Sequence, residues 1–294
     1  MPGKQVTELD ALPSFTDTSL VPVHNGAGLK KGLLSQLASY LGTKFSNPNL
    51  LINPDFKINQ RAKSTYTADS VIYTVDRWKA WHVTVNIIEN GYINIENNTY
   101  QDEGILRQQL ESTIDGPSTL SCYVESVSGT VKMETPNNAL KIILKQGLNI
   151  LHVGGNVDSF KLTLVKGSNV TLRWAKLEQG SIATPFVEPN ISDEFDKCLR
   201  YFEFGSLDTA PGVAIQPTVY IRTYVHPKRI NPTYKFSGSV SFEMNGTGKN
   251  LSLTYLGTDL NTECCTFRFK PSEATQYGLG FCKNFAYEID AEIY

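Results

Sequence analysis

A short stretch of the chain, YTVDRWKAWH at residues 73–82, concentrates side chains that could bind a sugar. Aromatic faces stack on the apolar faces of sugar rings, so exposed tyrosine and tryptophan are suited to glycan binding. We predict Tyr73, Trp78 and Trp81 as candidate glycan-stacking residues. On a strand, Trp78 and Trp81 would point to opposite sides, so we expect one in the core and one at the surface. The alternative is that both rings pack in cores.

The charged pair inside the same stretch, Asp76 and Arg77, is open to two interpretations. Buried charges persist only when they are paired, and a buried ion pair here would fix the strand that carries Trp78. The alternative is that these side chains bind a polar ligand. We favour the structural interpretation.

The carboxylates of the chain are scattered and form no recognisable catalytic pattern. A glycosidase needs two carboxylates about 5–9.5 Å apart in a cleft, and sequence spacing cannot establish that distance. The chain has no G-x-S-x-G motif and no P-loop. We therefore predict no catalytic residues and no enzymatic activity. The carboxylates considered are Asp10, Asp17, Asp55, Asp69, Asp76 and Glu178.

The histidines and cysteines are spaced unlike metal ligands. The four histidines include no H-x-x-x-H or H-x-H pair, and the five cysteines include no C-x-x-C pair. Adjacent Cys264 and Cys265 cannot both face one side of a strand. We predict no metal site and no cofactor, and we expect the cysteines to be reduced thiols acting as small buried hydrophobic residues.

The composition favours an all-β protein. Hydrophobic residues make up 40% and charged residues 19%, with 14 tyrosines and 14 phenylalanines. Aromatic and β-branched side chains fit a pleated surface, and turn residues recur at the ~8–12-residue spacing of sandwich strands. The net charge of -2 gives no global attraction to nucleic acid. We therefore expect no nucleic-acid binding. No apolar run reaches the ~18 residues of a spanning helix, so we also expect no membrane insertion.

The residue pattern divides the chain after residue 45 and again at a proline-containing connector before residue 192. Residues 1–45 read as extended pieces followed by a short helix with apolar residues at Leu33, Leu34, Leu37, Ala38 and Leu41. Such a helix is too short to be stable alone, so its apolar stripe needs a partner. That partner is either the body of the same chain or the same helix in neighbouring copies.

Strand periodicity is clearest between residues 160 and 174. Leu162 and Leu164, and then Val170, Leu172 and Trp174, follow one another at a spacing of two. After a proline-containing connector, a helix is predicted near residue 192 with Ser192 as its N-cap. Further strands form a second, smaller β-domain.

Several ordered motifs carry a resemblance to a known family. They are NLLINPDFKINQR, TYTADSVIYTVDRWKAW, RWAKLEQGSIATPFVEPNISDEFDKCLRYFE and the ending NFAYEIDAEIY. In this order they resemble phage and prophage tail-fibre proteins that contain a carbohydrate-binding-module-like jelly roll. The stretch TELDALPSFTDTSLVPVHNGAGLKKGLLSQL is similar to the N-terminal attachment modules of such proteins. The resemblance covers nearly the whole chain and is weakest in residues 203–280.

The resemblance implies an all-β chain of three parts. These are an N-terminal extended and helical attachment or trimerisation segment (1–45), a jelly-roll β-sandwich (46–188) and a smaller C-terminal β-sandwich tip domain (189–294). It also implies a virion location with release by lysis, a homotrimer, and contacts with other tail proteins through residues 1–45. We predict a receptor-binding tail-fibre protein that attaches the particle to host-surface polysaccharide. A purely structural virion protein without glycan binding is the first alternative, and a fragment of a carbohydrate-active enzyme is the second.

The chain departs from the family pattern at three positions. Glycine is usual in the family where this chain has Pro54 and Ala62. Related sugar-binding jelly rolls often hold a structural calcium through an acidic residue at the position of Lys57. Because an ammonium group offers no acceptor, we expect no calcium there, although Asp55 and Glu178 could still lie near one another.

Overall fold

The computed structural model describes residues 19–24, 29–42, 45–88, 91–135, 139–215, 217–237, 240–244, 250–260, 264–273 and 278–293. Within them strands predominate and there are two short helices, so the all-β prediction is confirmed. Among these residues, neither helix has the length and apolarity needed to span a bilayer. Asp10 and Asp17, and most of the segment 1–45, lie outside the described residues.

The N-terminal segment is a hairpin followed by a helix. Strand β1 (Leu20–His24) pairs antiparallel with β2 (Leu29–Leu33), and helix α1 (Leu34–Gly42) follows directly. The predicted apolar stripe is at the surface, because Leu33, Leu37 and Leu41 are 37%, 40% and 43% exposed. In the described residues, therefore, this stripe is not covered by the body of the chain.

The central part of the chain is a β-sandwich of two six-stranded antiparallel sheets around one core. Its strands are β3 (Thr65–Ala68), β4 (Ile72–Tyr73), β5 (Lys79–Trp81), β6 (Val83–Ile87), β7 (Ile93–Glu96), β8 (Glu103–Ile114), β9 (Ser118–Ser128), β10 (Val131–Glu134), β11 (Lys141–Ile143), β12 (Gly147–Val153), β13 (Val157–Val165) and β14 (Asn169–Gln179). The first sheet has the order β11-β10-β13-β8-β5-β4, and the second has the order β12-β9-β14-β7-β6-β3. The finer jelly-roll assignment stays a prediction.

Side-chain alternation builds this core, with one interruption. Leu162 and Leu164 of β13 are fully buried, as their two-residue spacing predicts. In β14 the register with β9 shifts between Leu172 and Trp174. This irregularity moves Trp174 out of the inward series, and Ala175 continues the core in its place. The predicted alternation through Trp174 is therefore wrong at its last member.

The C-terminal part begins with helix α2 (Ile191–Leu199). Its N-cap is Asn190, two residues before the predicted Ser192, because the Asn190 side chain accepts hydrogen bonds from the backbone N–H groups of Ser192 and Asp193. Asp193 and Glu194 lie in the first turn, where the helix dipole favours negative charge.

The strands after α2 form one seven-stranded sheet of order β15-β16-β20-β19-β18-β21-β17. They are β15 (Phe202–Ile215), β16 (Thr218–Tyr224), β17 (Thr233–Ser237), β18 (Ser241–Met244), β19 (Asn250–Leu260), β20 (Cys264–Pro271) and β21 (Gly278–Asp290). Strand β15 also pairs with β21, so the sheet closes on itself like a barrel. The sequence predicted two stacked sheets for this part of the chain, whereas the structure has one sheet that closes on itself. Aromatic rings such as Phe267, Phe269 and Phe285 fill its interior.

Candidate functional site

Trp78, a predicted stacking residue, belongs to the core of the sandwich. Its side chain has no exposed area, and its ring packs against Phe56 and Phe160 at centroid distances of 5.0 and 5.9 Å. The indole Nε1–H donates to the Asn53 carbonyl oxygen at 2.8 Å. No face of the ring is open to a sugar, so the assignment of Trp78 to a glycan site is wrong. The expectation that one of the two tryptophans lies in the core is confirmed.

Tyr73, the second predicted stacking residue, lies between the sandwich and the C-terminal part. Only 7% of the side chain is exposed, and its hydroxyl donates to the Ile293 carbonyl oxygen. The Arg61 guanidinium and the Lys79 ammonium lie 5.6 and 5.7 Å from the ring centre. Because the ring is enclosed in this way, its assignment as a glycan platform is also corrected: Tyr73 joins the two parts of the chain.

Asp76 and Arg77 are both buried, but each has a partner other than its neighbour. Arg77 Nη1 lies 2.6 Å from Glu292 Oε2, and the Arg77 guanidinium carbon lies 3.7 Å from the Tyr201 ring centre. Asp76 accepts hydrogen bonds from the backbone and side-chain nitrogens of Gln60 at 2.7 and 2.6 Å. Burial raises the pKa of Asp76 to about 6. Both side chains are buried with polar partners, as the structural interpretation requires, but they do not pair with each other: Arg77 pairs with Glu292 and Asp76 with Gln60.

Trp81 is the predicted residue that the structure leaves open to solvent. It is 42% exposed on the outer face of the first sheet, because β5 alternates and turns Ala80 inward between Lys79 and Trp81. The Trp81 ring lies 4.5 Å from the ring of His82, whose centroid is 6.5 Å from that of the exposed Tyr100. Three rings thus follow one another along this edge of the sandwich.

A cavity of about 220 Å³ opens beside Trp81 on the same face. In the strand register, Trp81 lies opposite Ile105 and Lys79 lies opposite Arg107, so the two strands β5 and β8 build one patch of two apolar and two cationic side chains. The cavity is smaller than the ~300–1,000 Å³ typical of drug-sized ligands, so it can enclose only a small group. Its lining residues are Val71, Lys79, Ala80, Trp81, Ile105 and Arg107.

The two cations of this cavity differ in their surroundings. Arg107 Nη2 lies 3.4 Å from Asp158 Oδ1, and both side chains are about one-third exposed. Partial burial lowers the pKa of Lys79, and the positive charges of Arg107 and Arg77 lower it further, while Glu292 opposes them. The site therefore combines an aromatic and aliphatic floor with N–H donors, which can bind sugar hydroxyls and negatively charged groups.

A second aromatic cluster lies on the outer face of the other sheet, and the sequence patterns did not point to it. Trp174 and Phe186 stack with their centroids 4.6 Å apart and their planes 3° apart. The Arg173 guanidinium lies 5.2 Å from the Tyr92 ring and 5.4 Å from the Tyr123 ring. A cavity of about 150 Å³ adjoins this cluster. The register shift in β14 places Trp174 in this outer cluster, and the spacing of residues in the sequence does not predict that shift.

Lys57 lies beside this second cavity and occupies a position between two carboxylates. Its ammonium lies 3.1 Å from Asp55 Oδ2 and pairs with Glu188 as well. Burial acts to lower the pKa of Lys57, but the hydrogen bonds to Glu188 and Asp55 outweigh it and raise the pKa. Glu178, which was considered beside Asp55, instead pairs with buried Lys176 at 3.2 Å.

No group of three or more histidine, cysteine, aspartate or glutamate side chains could hold a metal ion within the described ranges. The five cysteines are buried thiols, as predicted, with Cys122 in the sandwich core and Cys265 and Cys282 in the core of the C-terminal part.

Comparison with known proteins leaves the family open. No family model matches the chain, and no curated protein matches it. Among solved structures, oxalate decarboxylase from Bacillus subtilis at pH 4.6 is 7% identical, with 78% of this chain and 76% of that chain covered and a TM-score of 0.13. A deletion mutant of the same enzyme is 8% identical, with coverages of 84% and 81% and a TM-score of 0.13. At such TM-scores the likeness carries no argument about fold or function.

Proposed function

We propose that the chain is a non-enzymatic receptor-binding protein of a phage or prophage tail, and that it attaches the particle to host-surface glycan. The observation that carries this proposal is the open cavity beside Trp81, where an exposed indole and two cationic side chains lie on neighbouring strands. The resemblance of the ordered motifs to those of tail-fibre proteins suggests the virion context. Binding of a glycan at this site involves no cleavage of a covalent bond.

The geometry of the two strands explains how the site would bind a sugar. The backbone ladder between β5 and β8 fixes the positions of Lys79, Trp81, Ile105 and Arg107 before any ligand arrives. A sugar ring could lie against Trp81 and Ile105 while its polar groups accept hydrogen bonds from the two cations. Since the platform is built on strands, little conformational entropy is lost when a ligand binds.

The proposal includes a homotrimer that is attached to other tail proteins through residues 1–45. The exposed Leu37 and Leu41 on α1, next to exposed Leu33 at the end of β2, support it, because a nine-residue helix gains stability mainly from packing of its apolar face. Three copies would present three weak sugar sites, and later contacts then form at high effective concentration.

Replacement of Trp81 tests the glycan site directly. Trp81→Ala should weaken binding of the full chain to host cells and host polysaccharide by about tenfold or more, because the stacking surface is lost. Tyr224→Ala is the matched control, since Tyr224 is 83% exposed in the C-terminal part, away from the sandwich. Unchanged binding by Trp81→Ala, with the fold intact by circular dichroism, would exclude this site.

A purely structural virion protein is the second candidate function. The buried contacts of Tyr73 and Arg77 with the C-terminal part favour it, because they fix the two parts as a spacer would require. This candidate predicts firm incorporation into virions and no binding of host cells or host polysaccharide. The same cell-binding and polysaccharide measurements therefore separate the two functions.

A further inference from the structure

We propose that the Trp81 cavity selects acidic saccharides, in which a carboxylate or phosphate on the sugar binds between Lys79 and Arg107. This inference rests on the proposed glycan-binding function and narrows its ligand class. It follows from the charges on the outer face of the first sheet.

The first argument is the juxtaposition of two like charges. Lys79 and Arg107 are direct cross-strand partners on β5 and β8, and like charges in this position destabilise a sheet. Lys79 forms no salt bridge with any carboxylate of the described residues, and its ring contact is with Tyr73. An anion between the two cations would remove their repulsion.

The second argument is the charge pattern across the whole sheet. The strand register aligns Lys141, Glu134, Lys161, Arg107 and Lys79 in one row across β11, β10, β13, β8 and β5. The row contains four cations and one carboxylate, and Glu134 is already paired with Lys161 at 3.3 Å. Positive charge therefore dominates beside the cavity, where it attracts anions and raises their local concentration.

The third argument concerns Asp158, a carboxylate that competes with a ligand for Arg107. Asp158 contacts Arg107 at 3.4 Å, and the solvent exposure of both groups makes this a weak pair. Burial is the largest cause that lowers the pKa of Lys79, and the positive charge of Arg107 lowers it further. A ligand anion that contacts both Lys79 and Arg107 gains two charge-assisted hydrogen bonds, which Asp158 does not offer to Lys79.

A panel of bacterial surface polysaccharides tests the inference, each polymer in two forms. Uronate-containing polymers are compared with their carboxyl-reduced forms, and polysaccharides that carry pendant phosphate monoesters with their phosphatase-treated forms, using the full chain immobilised on a sensor. We expect at least one acidic polymer to bind, with a loss of about tenfold or more on neutralisation, as expected for charge-assisted hydrogen bonds. The two arms distinguish carboxylate from phosphate.

Single substitutions test whether the acidic polymer binds in the Trp81 cavity. Lys79→Gln and Arg107→Gln should each weaken binding of the acidic polymer by about tenfold, and Asp158→Asn should strengthen it. Lys145→Gln is the matched control, because it removes one positive charge at an exposed position outside the cavity lining. Its binding should equal that of the wild type.

The outcomes separate this inference from the proposed function. If neutralised polymers bind as well as acidic ones, and Trp81→Ala weakens both, the glycan function stands and acidic selectivity is wrong. If acidic binding is unaffected by Lys79→Gln and Arg107→Gln, the anion does not bind in this cavity. If no polymer binds in either form, both proposals fail.

Discussion

The Nη1 atom of Arg77 lies 2.6 Å from the Oε2 atom of Glu292, although 215 residues separate them in sequence. Both side chains are almost fully buried, and Arg61 approaches the other Glu292 oxygen at 3.5 Å. Arg77 also has a φ of 71°, in the left-handed region that non-glycine residues seldom adopt. A pair held in this way links the sandwich to the end of the C-terminal sheet.

Removal of one partner of this pair should destabilise the protein strongly. Arg77→Met leaves the Glu292 carboxylate buried without its main partner, and the free energy of unfolding should fall by about 3–5 kcal/mol. Chemical denaturation gives the measurement. Lys283→Met is the control, because the Lys283 and Glu243 side chains are 44% and 43% exposed, and a surface pair contributes at most about 1 kcal/mol.

The double variant Arg77→Met, Glu292→Met decides whether the unpaired charge causes the loss. It should be more stable than Arg77→Met alone, since no buried charge is left without its partner. A double variant as unstable as the single one would show that the shape of the two side chains, rather than their charge, holds the junction.

The raised pKa of Asp76 predicts how stability changes with pH. The folded pKa of about 6 exceeds the ~3.9 of an unfolded aspartate, so between these values the folded state binds more protons than the unfolded state. The contribution of Asp76 is thus fully present below pH ~4 and is lost as pH rises to ~6, by about 3 kcal/mol in total.

Asp76→Asn isolates this contribution from that of other titrating groups. As pH rises from ~4 to ~6, the unfolding free energy of the wild type should fall relative to that of the variant. Above pH ~6 the difference between the two should stay constant. Denaturant titrations at half-unit pH steps measure it. A difference that is the same at all pH values would contradict the raised pKa.

The two tryptophans should respond differently to the same change. Trp78→Ala removes a fully buried ring between Phe56 and Phe160 and should lower the unfolding free energy by about 3–5 kcal/mol. Trp81→Ala changes a half-exposed side chain and should remain within about 0.5 kcal/mol of the wild type. Thermal melts of both variants provide the comparison, and equal losses would show that Trp81 is packed in the core.

The exposed stripe of α1 predicts self-association. Light scattering coupled to size-exclusion chromatography should give the mass of three copies for the wild type, and a lower mass for the double variant Leu37→Lys, Leu41→Lys, since charges cannot be buried between helices. Leu148→Lys, at a 57% exposed position of the sandwich, should leave the mass unchanged. A strict monomer for the wild type at micromolar concentration would count heavily against the trimer.

Local patterns predicted the elements of this fold better than their long-range contacts. The two-residue period placed Leu162 and Leu164 in the core because it depends only on neighbouring residues. The register shift at Leu172 depends on how β14 fits β9, and therefore Trp174 was misplaced. The N-cap was missed by two residues for a similar reason: asparagine and serine are both good caps, and backbone geometry decides between them.

The candidate site was predicted in part for the same reason. Aromatic residue types pointed to residues 73–81, but only Trp81 is exposed, because burial of Tyr73 depends on Ile293 at the far end of the chain. Lys79 and Arg107 became a pair only through the antiparallel register of β5 and β8, which no single sequence displays.

The pairing of β15 with β21 has a consequence for how the protein is made on the ribosome. Strand β15 keeps one edge unpaired until residues 278–290 have left the exit tunnel, because β21 is its partner over nearly its full length. The sandwich can fold earlier, since all of its strands are synthesised before Ile191. During translation the nascent chain therefore carries a folded sandwich, in which Arg77 still lacks its partner Glu292, together with an unpaired strand edge. Unpaired strand edges are prone to aggregation and chaperone capture.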